Sequence, residues 1–290
     1  MVSHFRQSRL GKGSVMLDLS GSRFKYAFVS AFLTAGLSIA KQTDRNAVQD
    51  LISELHPVTS EVPLIRLGIS GDGRYLLPND LEGIDACFSP GVDDRATFEQ
   101  DLIARGIPCH LADATVKTSP LNSIPAAQAS RSSFISKFVG VFNDAQTIQM
   151  DDWIDQNAPG DDDLLLQMDI EGSEWAVLLN VAEATLRRFR IIVLEAHDME
   201  RIMDKHAFLI ISSVFRRLLQ YFDVVHIHPN NYGGIVRCGS LVIPRSLELT
   251  FYRKDRVFSS GYAKTFPHPL DVKNDPNRPD IVLPREWFGR

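Results

Sequence analysis

Cysteine is scarce in this chain of 290 residues, and the three cysteines that are present lie far apart. They form neither a CxxC pair nor the regular spacing of a disulfide framework, which argues against a small disulfide-stabilised secreted protein and favours a reducing, cytoplasmic location. Positive charge is not in excess either. The formal net charge of −5 lacks the basic footprint of nucleic-acid-binding proteins, so we predict no nucleic-acid partner.

A long apolar run is also missing. The strongest candidate, YAFVSAFLTAGLSIA at residues 26–40, has fifteen residues, whereas a membrane-spanning helix needs roughly 20. We interpret this segment as a buried helix, with contact to a membrane surface as the alternative, and we predict no membrane span. A second helical pattern follows at 44–55, with Asp44 as its N-cap. The two helices together predict an N-terminal helical extension over residues 1–60.

Beyond residue 60, the apolar segments alternate between strand-like and helix-like patterns. Such alternation predicts an α/β fold, with a mainly parallel sheet and helices on both of its faces. The nearly continuous apolar character of the strands agrees, because parallel strands are buried on both sides. We assign residues 61–253 to this domain and predict that residues 254–290, rich in Pro, Asp and Arg, form a tail that packs on its surface.

Glycine is too sparse after the first core strand for a dinucleotide-binding GxGxxG motif. Ser89 and Gly91 close that strand, and Asp113 follows 22 residues after Gly91, near the spacing at which a carboxylate binds the hydroxyls of a ribose. The two acids at 93–94 would repel a pyrophosphate. The pattern favours S-adenosylmethionine, which has a ribose and two positive charges but no phosphate, over NAD or ATP. A single glycine and acid at this distance also occur by chance.

Three predicted strands end in pairs of polar residues that are spaced two apart. The pairs are Asp169 and Glu171, Glu195 and His197, and His226 and His228. Residues two apart lie on one face of a strand, so neighbouring strands would collect these pairs at one edge of the sheet. We expect a functional role for Asp169 and Glu171, because they close a parallel strand where ligands bind. For His226 and His228 we expect structural roles.

Two chemical roles are open for these side chains. Carboxylates and imidazoles bind a divalent metal ion, or one of them acts as a general base while the others orient substrate hydroxyls. A structural alternative makes Glu171 a cap of the following helix. The turn HPNNYGG at 228–234 adds Asn230 and Asn231, which are either turn residues or hydrogen-bond partners of a polyhydroxylated substrate.

Six segments that lie between about residue 66 and residue 253 together resemble the FkbM-like methyltransferases. They are GDGRYLLP, CFSPGVDDRATFEQDLIARG, LADAT, LLLQMDIEGSEWAVL, IIVLEAH and VHIHPNN. The resemblance implies a Rossmann-like class I fold with a seven-stranded sheet, and methyl transfer from S-adenosylmethionine to oxygen of a sugar, a glycan or another small molecule. By position it makes Gly91 the glycine turn, Asp113 the ribose acid and Asp169 the residue beside the methyl-transfer centre. It also implies that Asp144, in FNDAQT, lies near the adenine.

We therefore predict an S-adenosylmethionine-dependent O-methyltransferase whose acceptor is a small molecule or a glycan. The predicted donor-binding residues are Ser89, Gly91, Asp113, Asp144 and Asp169, and the candidates for the catalytic base are Asp169, Glu171 and His197. A divalent metal ion is an open alternative for activating the acceptor hydroxyl, with no individual residue assigned as its ligand. Two other functions stay open: a metal-dependent hydrolase that uses the Asp, Glu and His side chains, and a methyltransferase-like protein that only binds. The sequence does not predict the oligomeric state.

Overall fold

The structure is a computed structural model, and it describes residues 19–36, 39–68, 73–94, 96–258 and 261–289. The chain divides into two compact units, Met1–Lys41 and Gln42–Arg290. Within the described ranges, every helix is too short or too polar to cross a membrane.

In the first unit, the helix α1 spans Leu19–Thr34. Its side chains Tyr26, Phe28 and Leu33 are exposed. The prediction of a buried helix at 26–40 is therefore wrong for these residues, while positions 37–38 of that segment lie outside the described residues. The apolar composition correctly predicted a helix, but composition alone does not determine what covers it.

Seven further α-helices belong to the larger unit, within the part of the chain that the structure describes. They are α2 (Arg45–Glu54), α3 (Thr97–Ala104), α4 (Ala126–Ala129), α5 (Met150–Asn157), α6 (Glu174–Asn180), α7 (Glu183–Arg188) and α8 (Lys205–Tyr221). Asp44 caps α2 as predicted, because its Oδ1 accepts the N–H of Asn46 at 2.9 Å. This bond satisfies one of the backbone donors that the first turn of a helix leaves unpaired.

The helix α2 contributes to the main hydrophobic core through Val48, Leu51 and Ile52. It is therefore part of the larger unit, and the division after residue 41 differs from the predicted end of an extension at residue 60. At the other end of the chain, Leu283 and Trp287 are buried in the same core. Leu283 and Trp287 thus connect the last residues of the chain to this core.

Thirteen β-strands follow the chain through the described residues. They are β1 (Leu64–Leu67), β2 (Tyr75–Pro78), β3 (Ala86–Pro90), β4 (Cys109–Ala112), β5 (Ser133–Ile135), β6 (Phe138–Gly140), β7 (Thr147–Gln149), β8 (Leu164–Met168), β9 (Phe189–Ala196), β10 (Phe222–Pro229), β11 (Ile235–Cys238), β12 (Leu241–Pro244) and β13 (Leu247–Arg253). Seven of them form one sheet in the order β10-β13-β9-β8-β3-β4-β5. The remaining six form the two-stranded sheets β1-β2, β6-β7 and β11-β12.

The seven-stranded sheet is mixed. Five neighbouring strands, β5, β4, β3, β8 and β9, pair in parallel. The strand β13 runs antiparallel to both β9 and β10. The prediction of a mainly parallel sheet is corrected on this point. The physical reason is the connection: β10 leads to β13 through the β11–β12 hairpin, and a helical crossover is what a parallel return would need.

The strand β13 was not identified by the sequence analysis. The strand before it, β12, pairs with β11 outside the large sheet. The alternation of β13 was a usable signal, because Leu247, Leu249 and Phe251 face one core cluster while Tyr252 faces the other.

Both faces of the sheet are covered by helices. Along β8, Leu164 and Leu166 pack in the core that includes α2, α5, α6 and α8. Leu165, on the opposite face, packs with α3 and with the β1–β2 pair. Burying each such side chain contributes roughly 1.5–3 kcal/mol, which fixes the register of β8 and the position at which the strand ends.

Candidate functional site

The strand order reverses between β3 and β8. From β3 the chain continues outward to β4 and β5, and it then returns to β8 and β9 on the other side. Ligands of open α/β sheets bind at the carboxyl ends of the strands beside such a reversal. A cavity of about 390 Å³ opens at this place. Its lining residues are Gly91, Asp93, Ala112, Asp113, Thr115, Phe138, Val139, Asp169, Ile170, Glu171 and Ser173.

Gly91 brings the ends of β3 and β8 together. Its φ of +80° lies in the left-handed region, and a Cβ atom at this position would lie 1.5 Å from the carbonyl oxygen of Asp169. The N–H of Asp169 in turn donates to the carbonyl of Pro90 at 3.2 Å. Only glycine permits this approach, so the glycine predicted from the sequence sets the position of Asp169.

The lining of the cavity is acidic. Asp93, Asp113, Asp169 and Glu171 contribute four carboxylates, and no lysine, arginine or histidine is among the described residues that line it. An anionic ligand such as a polyphosphate would meet like charges, whereas a cationic ligand would be attracted.

Asp113 is held in a defined orientation at the end of β4. Its Oδ1 accepts the N–H of Thr115 at 2.7 Å and the hydroxyl of Thr115 at 2.6 Å. The carboxylate therefore lines the cavity in a fixed geometry, at the place that the sequence assigned to a ribose-binding acid.

Five side chains form a cluster beside the cavity, which we call the rim cluster. Its members are Asp169, Glu171, Glu174, Glu195 and His197. The Nδ1 of His197 lies 3.0 Å from Oε1 of Glu174. Its Nε2 lies 3.8 Å from Oδ1 of Asp169, 3.6 Å from Oε2 of Glu171 and 3.7 Å from Oε1 of Glu195. The histidine thus stands at the centre of four carboxylates.

Each acid of the rim cluster is placed by its local structure. Glu174 is fully buried in the first turn of α6, and its Oε1 also accepts the N–H of Ile170 at 2.9 Å. Glu171 has a φ of +54°, a left-handed conformation that is uncommon for a residue other than glycine. Its side chain is 87% exposed, against 25% for Asp169. Asp169 therefore lies deeper in the site than Glu171.

Glu195 lies near the end of β9, and its side chain is held by two residues that lie outside the parallel strands. Its Oε1 accepts from Nδ2 of Asn230 at 2.7 Å and from the hydroxyl of Ser246 at 2.8 Å. The sequence predicted Asn230 as either a turn residue or a substrate contact. In the structure its side chain positions Glu195 of the rim cluster.

The surrounding acids control the charge of His197. Burial alone would lower the pKa of this imidazole, but the hydrogen bond to Glu174 and the charges of Glu195 and Asp169 outweigh it and raise the pKa to about 10. A pKa in this range favours the protonated ring at neutral pH, whereas a general base has to be neutral before it accepts a proton. One ligand atom each from Asp169, Glu171 and His197 lies within 4.8 Å of the others, close enough to surround a cation.

Two predicted donor-binding residues lie away from the cavity lining. Ser89 is fully buried, and its hydroxyl bonds to Glu99 and Gln167 on the α3 side of the sheet. Asp144 is exposed in the turn between β6 and β7, where its Oδ1 accepts the N–H groups of Gln146 and Thr147. The alternation of side chains along β3 explains the position of Ser89, because residues two apart share a face.

His226 and His228 belong to a second group, which we call the tail cluster. Its members are His226, His228, Glu248, Asp271 and Asn274. The Nε2 of His226 donates to Asp271 at 2.9 Å, and Nδ1 of His228 lies 3.4 Å from Glu248. Both histidine side chains are only 2% exposed. These contacts fasten the tail to β10 and β13, in agreement with the structural role expected for the two histidines.

Glu174 is the member of the rim cluster that the sequence analysis did not identify. It lies five residues after Asp169 on the next helix, where an acid is ordinary because it favours the helix N-terminus. Only the return of β9 beside β8 brings His197 to it, so no local signal distinguished this glutamate.

The fold and the cavity define an α/β protein with a cavity at the reversal point of its sheet. The chain belongs to the FkbM methyltransferase domain family: the family model matches residues 57–227, more than half of the 290 residues. This match covers both sides of the cavity and ends before β13 and the tail. A comparison with curated proteins gives no match.

Proposed function

We propose that this protein transfers a methyl group from S-adenosylmethionine to a hydroxyl oxygen of a sugar, a glycan or another small hydroxylated acceptor. Its family supports methyl transfer. The observation that carries the choice of donor is the acidic cavity at the reversal between β3 and β8, with four carboxylates in its lining. We further propose that the sheet is the Rossmann-like class I type, with β13 as its antiparallel strand.

The residues of the cavity suit this donor in charge, size and contacts. Asp113 provides an oriented carboxylate for the ribose hydroxyls, and the other acids complement the sulfonium and ammonium charges. The volume of about 390 Å³ lies in the range of small-molecule sites. Gly91 permits the close approach of the ends of β3 and β8, which places Asp169 in the cavity lining. NAD and ATP fit less well, because their phosphates would face the carboxylates.

Bound S-adenosylmethionine would supply an electrophilic methyl group. The protein has to orient the acceptor hydroxyl and take its proton. Asp169 is our proposed base, since it lines the cavity and is more enclosed than Glu171. Glu171 is the alternative base at the mouth of the cavity. Proximity and alignment of the two reactants provide much of the rate enhancement in such a displacement.

The test is transfer of a labelled methyl group to a panel of neutral hydroxylated acceptors, with products identified by mass spectrometry. We expect transfer to oxygen that depends on the methyl donor and persists after treatment with a chelator. Activity that a chelator abolishes and that ignores the donor would favour a metal-dependent hydrolase instead. Donor binding without transfer to any acceptor would favour a protein that only binds.

A matched pair of variants tests the donor site. Asp113→Asn should weaken S-adenosylhomocysteine binding by about 10- to 100-fold, because hydrogen bonds to a charged group contribute about 1.5–3 kcal/mol. Asp155→Asn makes the same chemical change on the exposed side of α5 and should leave binding unchanged. Equal effects of the two substitutions would contradict the assignment of Asp113.

A further inference from the structure

We propose that His197 is the fixed cation of the rim cluster, that it keeps both ring protons throughout the reaction, and that Glu174 is the residue that positions it. In this role His197 supplies the positive charge that a divalent metal ion would otherwise supply, and it neither gives nor takes the proton of the acceptor. The catalytic part of this proposal rests on the proposed methyl transfer, but the state of the ring is testable without any activity.

The first argument is geometric. Nδ1 faces Oε1 of Glu174 at 3.0 Å. Nε2 faces carboxylate oxygens at 3.6–3.8 Å that come from the end of β8, from the loop after it and from β9. A neutral imidazole has a lone pair on one of its nitrogens. Here a carboxylate oxygen lies within 4 Å of each ring nitrogen, so a lone pair on either nitrogen would stand close to negative charge and the contacts favour N–H groups at both positions.

The second argument is charge balance. Glu174 and Glu195 are buried, at 0% and 3% exposure. Buried carboxylates are costly unless they are paired and hydrogen-bonded. His197 lies within 4 Å of both of them as well as of Asp169 and Glu171, so a protonated ring places one positive charge beside four acids and reduces their mutual repulsion. The raised pKa of His197 is in accord with this.

The third argument separates His197 from a metal ligand. Asp169, Glu171 and His197 place one ligand atom each within 4.8 Å of the others. A histidine binds a metal ion through a lone pair, so it must be neutral there. Oε1 of Glu195 already accepts two hydrogen bonds, from Asn230 and Ser246. With an imidazolium in the centre, each of the two buried acids, Glu174 and Glu195, has a cationic neighbour without an added metal ion.

The experiment is nitrogen NMR of the full chain with labelled histidine. The chain has eight histidines, and the signal that disappears in His197→Gln identifies the ring. At about pH 8, above the ordinary histidine value of about 6.5, we expect imidazolium shifts at both nitrogens, unchanged by Mg²⁺ or Zn²⁺. A neutral ring at this pH, or an Nε2 signal that moves on adding either metal ion, would overturn the proposal. Neither result depends on methyl transfer, so failure of the proposed function is seen separately.

The role of Glu174 is tested by the titration midpoint of the same ring. Glu174→Gln removes one opposite charge and should lower that midpoint by about one to three pH units. Glu195→Gln should lower it as well, which provides a second variant if Glu174→Gln does not fold. Glu174→Asp keeps the charge and should restore most of the midpoint.

The matched control is Glu248→Gln in the tail cluster, which alters another buried histidine–glutamate pair. It should leave the titration of His197 unchanged. A midpoint that stays constant in both Glu174→Gln and Glu195→Gln, or that moves equally in Glu248→Gln, would overturn the positioning role.

Discussion

The rim cluster and the tail cluster contain the same kinds of side chain at the same edge of the sheet, but their surroundings differ. The rim cluster has one histidine and the tail cluster has two, each near the end of a strand and with a carboxylate within 4 Å. His197 is 18% exposed beside a cavity, whereas His226 and His228 are 2% exposed beneath the tail. The two clusters differ in what covers their histidines. Residues of the tail, among them Asp271 and Asn274, bond to the tail cluster and cover it.

This contrast shows that two polar residues at the end of a buried strand do not by themselves indicate a site. In the tail cluster, each imidazole contacts a carboxylate from another segment of the chain, and both rings are buried. In the rim cluster, four acids meet one ring and two of those acids, Asp169 and Glu171, line an open cavity. An excess of negative charge beside an open cavity is the feature that indicates a functional site.

The largest effect is expected at Asp169, within the rim cluster. Asp169→Asn should lower kcat by about 10²- to 10⁴-fold, the range for loss of a general base, while donor binding changes by less than tenfold, or about 1.4 kcal/mol. Glu171→Gln is the matched change at an exposed position and should reduce kcat less. Steady-state kinetics and calorimetry of both variants provide the measurement. The reverse order would assign the base to Glu171.

His197→Gln and His228→Gln compare the two clusters directly. His197→Gln should lower kcat by about 10²- to 10³-fold, as for loss of a preorganised electrostatic contact. His228→Gln leaves Glu248 with a weaker partner and should lower the free energy of unfolding by about 1–3 kcal/mol, with kcat unchanged in the folded fraction. Kinetics and chemical denaturation separate the two effects. A similar loss of kcat in both variants would contradict the distinction between the clusters.

Gly91→Ala tests the close approach that builds the cavity. The added Cβ would lie 1.5 Å from the carbonyl oxygen of Asp169, so we expect donor binding to fall by about 100-fold, or about 2.8 kcal/mol. Gly106→Ala is the control, because Gly106 has a similar φ of +84° but no atom within 4 Å of the added Cβ. It should cost only the roughly 1–2 kcal/mol of left-handed backbone. Equal donor binding in the two variants would exclude the proposed role of Gly91.

The smallest effect concerns the pH dependence of the tail cluster. Burial alone would raise the pKa of Asp271, but the hydrogen bond from His226 and the charge of that ring lower it below its ordinary value. Its stabilising contribution is therefore complete above the ordinary value of about 4 and is lost as the pH falls through the lowered value. Asp271→Asn should flatten the acid side of a Tm profile, whereas Asp155→Asn should not. Parallel acid-side profiles of Asp271→Asn and the wild type would contradict this linkage.

Part of the cavity lining was predictable because its signals are local. Gly91 and Asp113 follow strands at a spacing with a physical meaning, and both line the cavity. Ser89 was assigned to the site because of its nearness to Gly91, and the side-chain alternation of β3 turned it toward α3 instead. The antiparallel strand β13 and the positions of Glu174 and Asn230 depend on pairings between distant segments. Such pairings leave no pattern within a single short segment.

Calorimetric titration of S-adenosylhomocysteine into the wild-type protein, with ATP as the comparison ligand, tests the donor site most directly. The acidic cavity predicts binding of S-adenosylhomocysteine with a Kd of about 1–100 µM, corresponding to roughly −8 to −5 kcal/mol, and no measurable binding of ATP. Absence of binding by S-adenosylhomocysteine, or equal binding of ATP, would contradict the assignment of this cavity to a cationic methyl donor.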